Sequence, residues 1–420
     1  VNKQRKKRLS LLTPLLVAFL VFSPVEDIER HLTTSQWKQI NSELKFEKEI
    51  KTDYQTLSIM ELAGERTLYS DGKPAYSIPD IYNSEKFVHT VFSQAKNAKN
   101  VLLIGSSASG LQAEILKYGS NIDCVEPDRA LFEFTSYLLT ESEKEAIKQG
   151  RINFINRDGR EYVNSCAKSY DVILLNTGGP ATMNKNRFYT LEFFDKVKKI
   201  LNKDGIFAFS MQSAEDFLGD DLKNFNASIF NAFSHIFDKY VLVTGDKLIL
   251  IGSTAELTGY NIKSIMSGFT DRKISTEYFS PYMFPQIFRE ERAENFLQTI
   301  SGANDVKTNT DNNSAALFYH IALVGSFLGG IDIEHLSDIV SRTLLALVVI
   351  LSAALIFFRI KKQAAFKKIT LQLSAFILGI VSITTSLVVM FDFQTAFGSI
   401  YITAGIMFAL NMSGLAFGAF

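Results

Sequence analysis

The sequence has very little cysteine and no net charge. Cys124 and Cys166 are the only two cysteines in 420 residues. Their spacing matches no metal-ligand motif, which excludes a disulfide scaffold and a zinc module. Lysine and arginine total 44 against 44 acids, so a nucleic-acid partner held by overall charge is not expected. No internal repeat or low-complexity tract is present. Acids are nearly absent beyond Ser337, and the chain is too long for one ordinary core, so at least two structural units are expected.

The most informative segment is Val101-Leu-Leu-Ile-Gly-Ser-Ser-Ala-Ser-Gly110, followed by Ile122-Asp-Cys-Val-Glu126. It reads as a buried strand, a small-residue turn, a helix, and a second strand ending in a carboxylate. Such a unit sets backbone N–H groups at a helix N-terminus beside an acid suited to ribose hydroxyls. Gly105 and Gly110 let the backbone approach a ligand, Ser107 lies in the turn between them, and Glu126 is the expected ribose acceptor. The ligand class is an adenosine-containing cofactor.

Around this unit strands alternate with helices. Ile152–Ile155, Tyr170–Asn176 and Gly205–Met211 are each followed by a helical stretch, which predicts a parallel sheet covered on both faces. Tyr240–Thr244 and Lys247–Ile251 flank Gly245-Asp246, a tight hairpin that ends the sheet with an antiparallel strand. From about Lys51 to Ile78 short strands and turns predict a small antiparallel lobe. The fold class is therefore α/β, a class I methyltransferase-like (Rossmann-like) sheet with a small N-terminal β lobe.

Long apolar runs add a membrane expectation. Leu336–Phe358, Ile369–Phe391 and Phe397–Phe420 are each long enough to cross a hydrocarbon layer of about 30 Å as helices. Basic residues in 359–368 place that loop inside by the positive-inside rule. Leu9–Val25 and Ala315–Ile331 are borderline, and crossing by either one alone satisfies the charge rule, so the side of the soluble domain stays open. A start at Val1 and a stop within an apolar run suggest a fragment of a longer protein. The expected divisions are a basic and apolar membrane segment over 1–36, a β lobe and helix over 37–99, the Rossmann-like domain over 100–300, a linker with a borderline apolar segment over 301–335, and transmembrane helices over 336–420. The expected placement is integral and multi-pass, in a bacterial inner membrane, with the lipid bilayer as a partner; oligomeric state is left open.

Asp53-Tyr-Gln55, Leu68-Tyr-Ser-Asp-Gly72, Glu85-Lys-Phe-Val-His89, Val101–Gly110, Val125-Glu126, Arg157-Asp-Gly159, and Tyr170–Pro180 with Asn186-Arg-Phe-Tyr-Thr190 together resemble the spermidine synthase (polyamine aminopropyltransferase) family. With Asn309-Thr-Asp311 and Met412–Gly418 the resemblance is closest to its membrane-embedded bacterial members. It implies transfer of an aminopropyl group from decarboxylated S-adenosylmethionine to an amine, with no metal. It also implies that Asp158 accepts from an adenine amino group and that Gln55 meets the sulfonium arm. The bland alternative for Asp158 is a helix N-cap, since Gly159 follows.

The chain departs from the family where amine chemistry occurs. An aspartate of the glycine-rich turn is replaced by Ala108, and the two acids after the fourth strand by Asn176 and Gly179. Asn176 stands at the catalytic position but cannot act as a carboxylate base. Asp80 and Glu85 remain as acids that could meet a cationic substrate, and His89 reads as structural. Three functions stay open: an aminopropyltransferase with an altered amine site, an S-adenosylmethionine-dependent methyltransferase acting on another small-molecule acceptor, and a non-catalytic ligand-sensing domain coupled to a transport-like membrane bundle.

Overall fold

The computed structural model describes residues 43–329 apart from 106–108, 216 and 303–304, together with Trp37 and scattered residues between 342 and 414. The described chain forms two compact units, divided after Pro79.

In the first unit, Lys45–Lys51 (β1), Thr56–Leu62 (β2), Glu65–Ser70 (β3) and Lys73–Ile78 (β4) make an antiparallel sheet in chain order. Two-residue turns at Ala63-Gly64 and Asp71-Gly72 join β2 to β3 and β3 to β4. All four turn residues have φ between 50° and 87°, the conformation whose twist matches paired strands. Trp37, Leu44 and Met60 are buried together beneath this sheet. The lobe expected from the sequence is present, with β1 as an additional strand that its charged alternation concealed.

The second unit opens with the helix Ile81–Phe92 (α1) and strand Asn100–Ile104 (β5). Leu111–Leu116 (α2), Asn121–Val125 (β6), Arg129–Thr135 (α3), Glu141–Lys148 (α4), Ile152–Ile155 (β7) and Gly159–Ser165 (α5) follow. Then come Tyr170–Leu175 (β8), Met183–Asn186 (α6), Leu191–Lys199 (α7), Leu201–Gln212 (β9), Asp220–Ile236 (α8), Lys239–Val243 (β10) and Lys247–Ser253 (β11). The remaining helices are Ile262–Asp271 (α9), Phe284–Ile287 (α10), Glu290–Ser301 (α11) and Ala315–Gly329 (α12).

Seven strands form one sheet in the order β10-β11-β9-β8-β5-β6-β7. The five strands β9, β8, β5, β6 and β7 run parallel, while β11 pairs antiparallel with both β9 and β10. The Rossmann-like architecture and its terminal hairpin are thus as the sequence patterning predicts.

Strand periodicity assigns the two faces. Leu102, Ile104, Ile173, Leu175, Phe207 and Phe209 belong to one core cluster, packed with residues of α7 and α8. Val101, Leu103, Val172, Leu174, Ile206 and Ala208 belong to the other, with residues of α1 and α9. Both alternate sets are apolar because a parallel sheet is covered on both sides.

The membrane expectation is corrected by this structure. Among the described residues, no helix is long and apolar enough to cross a membrane, which overturns the integral multi-pass placement. The described part of helix α12, in the borderline segment, covers 15 residues, and Ala315, Ala316 and Tyr319 are buried in the domain core. Residues 1–36 and 359–368 lie outside the described residues, as do most of Leu336–Phe358 and Phe397–Phe420; within Ile369–Phe391, residues 379–390 are helical. The expected linker over 301–335 is also revised. Asn309 within it is fully buried and held by four hydrogen bonds detailed below.

Candidate functional site

The carboxyl ends of β5, β6, β7 and β8 converge because the loops after them are hydrogen-bonded in step. Gly105 N–H donates to Val125 O at 3.0 Å, Glu126 N–H to Ile155 O at 3.1 Å, and Asn176 N–H to Ile104 O at 2.9 Å. Glu126 therefore stands one strand from the turn at Gly105, and Asp158 follows the next strand. Gly105 has φ +82°, and a Cβ there would lie 2.9 Å from Asn176 O. Only glycine lets the β5 turn pass this close to the β8 loop.

The rest of the turn is held by α1. Gly110 caps α2 in the left-handed conformation at φ 95°. Asp80 N–H and Ser84 Oγ both donate to Ser109 O, at 2.9 and 3.0 Å. Ser84 stands where the resembled family has histidine, and its role here is to tie helix to turn. Ser107 and Ala108 lie outside the described residues.

Among the acids, Glu126 is half-buried and its Oε1 accepts from Asp128 N–H at 3.1 Å. Asp158 does more than the sequence reading assigned to it. Its Oδ1 caps α5 by accepting from Arg160 and Glu161 N–H at 3.0 and 3.1 Å. Arg187 grips the same carboxylate, Nη1 to Oδ1 at 3.1 Å and Nη2 to Oδ2. Three of these four donors reach Oδ1 and one reaches Oδ2. In this structure the side chain bonds to the helix and to the arginine. The next residue, Gly159, abuts the end of β5, where an added Cβ would lie 2.6 Å from Ile104 Cγ2.

Arg187 and Tyr189 were unassigned by the sequence reading. Arg187 is 1% exposed and gives its Nε to Asn184 O and Oδ1, both at 3.0 Å. Tyr189 donates its hydroxyl to Gly178 O in the loop after β8, and burial pushes its ionisation up to about 12. Neither pairing has a sequence signature, since each partner is set by the fold.

Two acids expected as amine-facing candidates are hydrogen-bonded within the protein. Asp80 accepts from Asn83 N–H at 3.3 Å as the α1 N-cap and from Asn83 Nδ2. Glu85 is fully buried; its Oε1 accepts from Glu277 N–H at 2.7 Å and its Oε2 from Tyr278 and Phe279 N–H, both at 2.8 Å. Burial opposes its ionisation, yet these three N–H groups and the Lys117 charge hold the carboxyl below its ordinary range. His89 lies within the same buried group, Nδ1 at 2.9 Å from Tyr118 OH and Nε2 at 3.2 Å from Glu114 Oε2. Glu85, His89 and Glu114 could in principle hold a metal, but Lys117 Nζ, 2.8 Å from Glu114 Oε1, already supplies the cation. His89 is structural, in line with its sequence reading.

Gln55 belongs to the first unit, where its Oε1 accepts from Ser70 Oγ at 2.5 Å. Asn176 is half-buried in the β8 loop.

Residues 80–245 match the model of the spermine/spermidine synthase domain. The chain is 34% identical over 163 residues to polyamine aminopropyltransferase 2 of Hyperthermus butylicus, covering 37% of this chain and 52% of that protein. It is 30% identical over 174 residues to polyamine aminopropyltransferase 2 of Bacillus cereus, covering 40% and 47%. The matched region thus spans about half the length of these curated relatives. The solved spermidine synthase of Thermotoga maritima aligns with a TM-score of 0.50 at 19% identity, over 62% of this chain and 88% of that one, a likeness of fold. Residues 80–245 are therefore similar to the spermine/spermidine synthase domain.

Proposed function

We propose that this domain binds S-adenosylmethionine or its decarboxylated form as co-substrate and, from the decarboxylated form, transfers the aminopropyl group to an acceptor through an altered amine site. The observation that carries the reading is the set of stepped strand ends. Gly105 is pressed against the β8 loop, and Glu126 stands on the adjacent strand. In that arrangement Gly105 and Gly110 bring backbone to the nucleoside and Glu126 accepts from the ribose. Asp158 with Arg187 fixes the wall at the base end.

In aminopropyl transfer the acceptor nitrogen bonds to the carbon beside the sulfonium, the C–S bond breaks, methylthioadenosine leaves, and the nitrogen loses a proton. Positioning supplies most of the catalysis, and a base collects that proton. Asn176 cannot serve as this base. A Cβ built on Gly178 would stand 3.4 Å from Lys185 Nζ, so an ammonium already approaches the loop where a diamine would need anions. Both features favour an acceptor with less positive charge than a simple diamine.

The test is methylthioadenosine release by the full chain with decarboxylated S-adenosylmethionine and either putrescine or a monoamine. Faster release with the monoamine, and a gain with putrescine in Asn176→Asp, support the reading; failure to bind any adenosyl compound defeats it. The same neutral site also favours methyl transfer from S-adenosylmethionine as the second reading. Its product is S-adenosylhomocysteine instead of methylthioadenosine.

A further inference from the structure

The segment Asn309–Asp311 lies beyond the matched domain, yet it is bonded to the elements that hold the candidate site. Asn309 Nδ2 donates to Tyr189 O at 2.8 Å, and its Oδ1 accepts from Ala316 N–H at 3.1 Å, the start of α12. Its main chain donates to Ser228 O at 3.2 Å and accepts from Leu191 N–H at 3.1 Å. Asp311 N–H donates to Glu192 Oε2 at 2.9 Å; its Oδ1 accepts from Thr190 Oγ at 2.8 Å and its Oδ2 from Arg160 Nη2. Arg160 in turn donates Nη1 to Arg187 O at 2.8 Å.

Residues 187–192 are consequently held from two directions. On one side stand Asn309 and Asp311. On the other, Arg187 holds Asp158 and Tyr189 holds Gly178. Arg160, Arg187, Asp158 and Asp311 form a charge-balanced quartet, and both arginines are at least nine-tenths buried. Losing either aspartate of the quartet leaves a buried arginine charge uncompensated.

We propose that Asn309–Asp311 is a positioning strap, which couples docking of the α12 segment to ligand occupancy at the Gly105–Glu126–Asp158 edge. The strap orders residues 187–192, and those residues set the Asp158 wall and the Thr177–Gly178 loop. By reciprocity, a ligand that orders the same wall and loop strengthens docking of the strap. Asp311 is thus a positioning residue that touches no ligand. The inference rests on the adenosyl-site reading above, and the test separates the two.

The experiment uses the full chain with methylthioadenosine as probe. Calorimetry measures affinity for wild type, Asp311→Asn and Asp311→Glu, and hydrogen exchange follows the 309–316 amides with and without probe. The expected results are at least fivefold weaker binding in Asp311→Asn, partial recovery in Asp311→Glu, and at least fivefold slower exchange of 309–316 in liganded wild type. The exchange measurement stands even if the variants do not fold. A strap that only stabilised the fold would show 309–316 exchange slowed no more than that of core amides which exchange by global unfolding. Binding by wild type with 309–316 exchange slowed no more than those core amides, or with Asp311→Asn within twofold, overturns the strap alone. Absence of any binding to wild type overturns both readings.

Discussion

Replacing Glu85 separates a structural acid from a substrate-facing one. The carboxylate is fully buried and accepts three N–H groups from residues 277–279. In Glu85→Ala all three donors lose their acceptor. Glu277 and Tyr278 are exposed and regain water, whereas Phe279 is 4% exposed and does not. One fully orphaned donor at about 1–3 kcal/mol, plus a smaller term for two resolvated ones, gives a loss of roughly 2–4 kcal/mol. Glu85→Gln keeps one oxygen and sets an NH₂ group against an N–H donor, so a similar loss at the low end is expected. Urea denaturation at pH 7 reads these differences, and hydrogen exchange should show the 277–279 amides deprotected. The pH dependence has a defined sign. Because the folded carboxyl titrates below its ordinary range, its stabilisation is present above the unfolded value near 4.3 and is lost as pH falls through the lower folded value. The gap between wild type and Glu85→Gln should therefore narrow on acidification below about pH 4. A Glu85→Gln protein within 0.5 kcal/mol of wild type, set against the estimate of about 2, would refute the reasoning.

Other outcomes follow from the same geometry. Gly159→Ala puts a Cβ 2.6 Å from Ile104 Cγ2, and a loss of about 1–3 kcal/mol in chemical denaturation is expected; an unchanged midpoint contradicts the packing. Burial opposes ionisation of Asp123, but bonds from Lys168, Tyr170 and Asn153 outweigh it and hold the carboxyl below its usual range. Its stabilising contribution is thus present above the unfolded value near 3.9 and is lost as pH falls through the lower folded one. Asp123→Asn should accordingly lower the denaturation midpoint at pH 7 and narrow the gap in acid; equal gaps at both pH values oppose this. Burial pushes the pKa of the Cys124 thiol up and keeps it protonated, while Cys166 is partly exposed. A thiol-labelling reagent should modify Cys166 fast and Cys124 only on unfolding, and two fast thiols would contradict the burial.

Most of the sheet was legible because parallel strands buried on both faces leave continuous apolar runs, as at Val101–Ile104 and Tyr170–Leu175. The hairpin and the lobe followed from turn chemistry. β1 escaped because Lys45–Lys51 is exposed or half-buried throughout and mostly charged. The place of Glu126 just after β6 was legible from its register after the glycine turn. Asp158 reads as an acceptor for adenine with a helix cap as the alternative; the cap is present, together with an arginine bond that the sequence does not signal. The grip of Arg187 depends on a partner 29 positions away, and that of Asp311 on one 151 away. No local pattern encodes such pairs. The apolar length of Ala315–Ile331 was read as a borderline span; one face of α12 instead covers the domain core.

Titration of methylthioadenosine into the full chain, wild type against Glu126→Ala, tests the proposed adenosyl edge most directly. Saturable binding by wild type, at least tenfold weaker in a variant with an unchanged denaturation midpoint, is the expected result. Equal affinity of the two proteins, or no binding by either, would contradict the assignment of the ribose to Glu126.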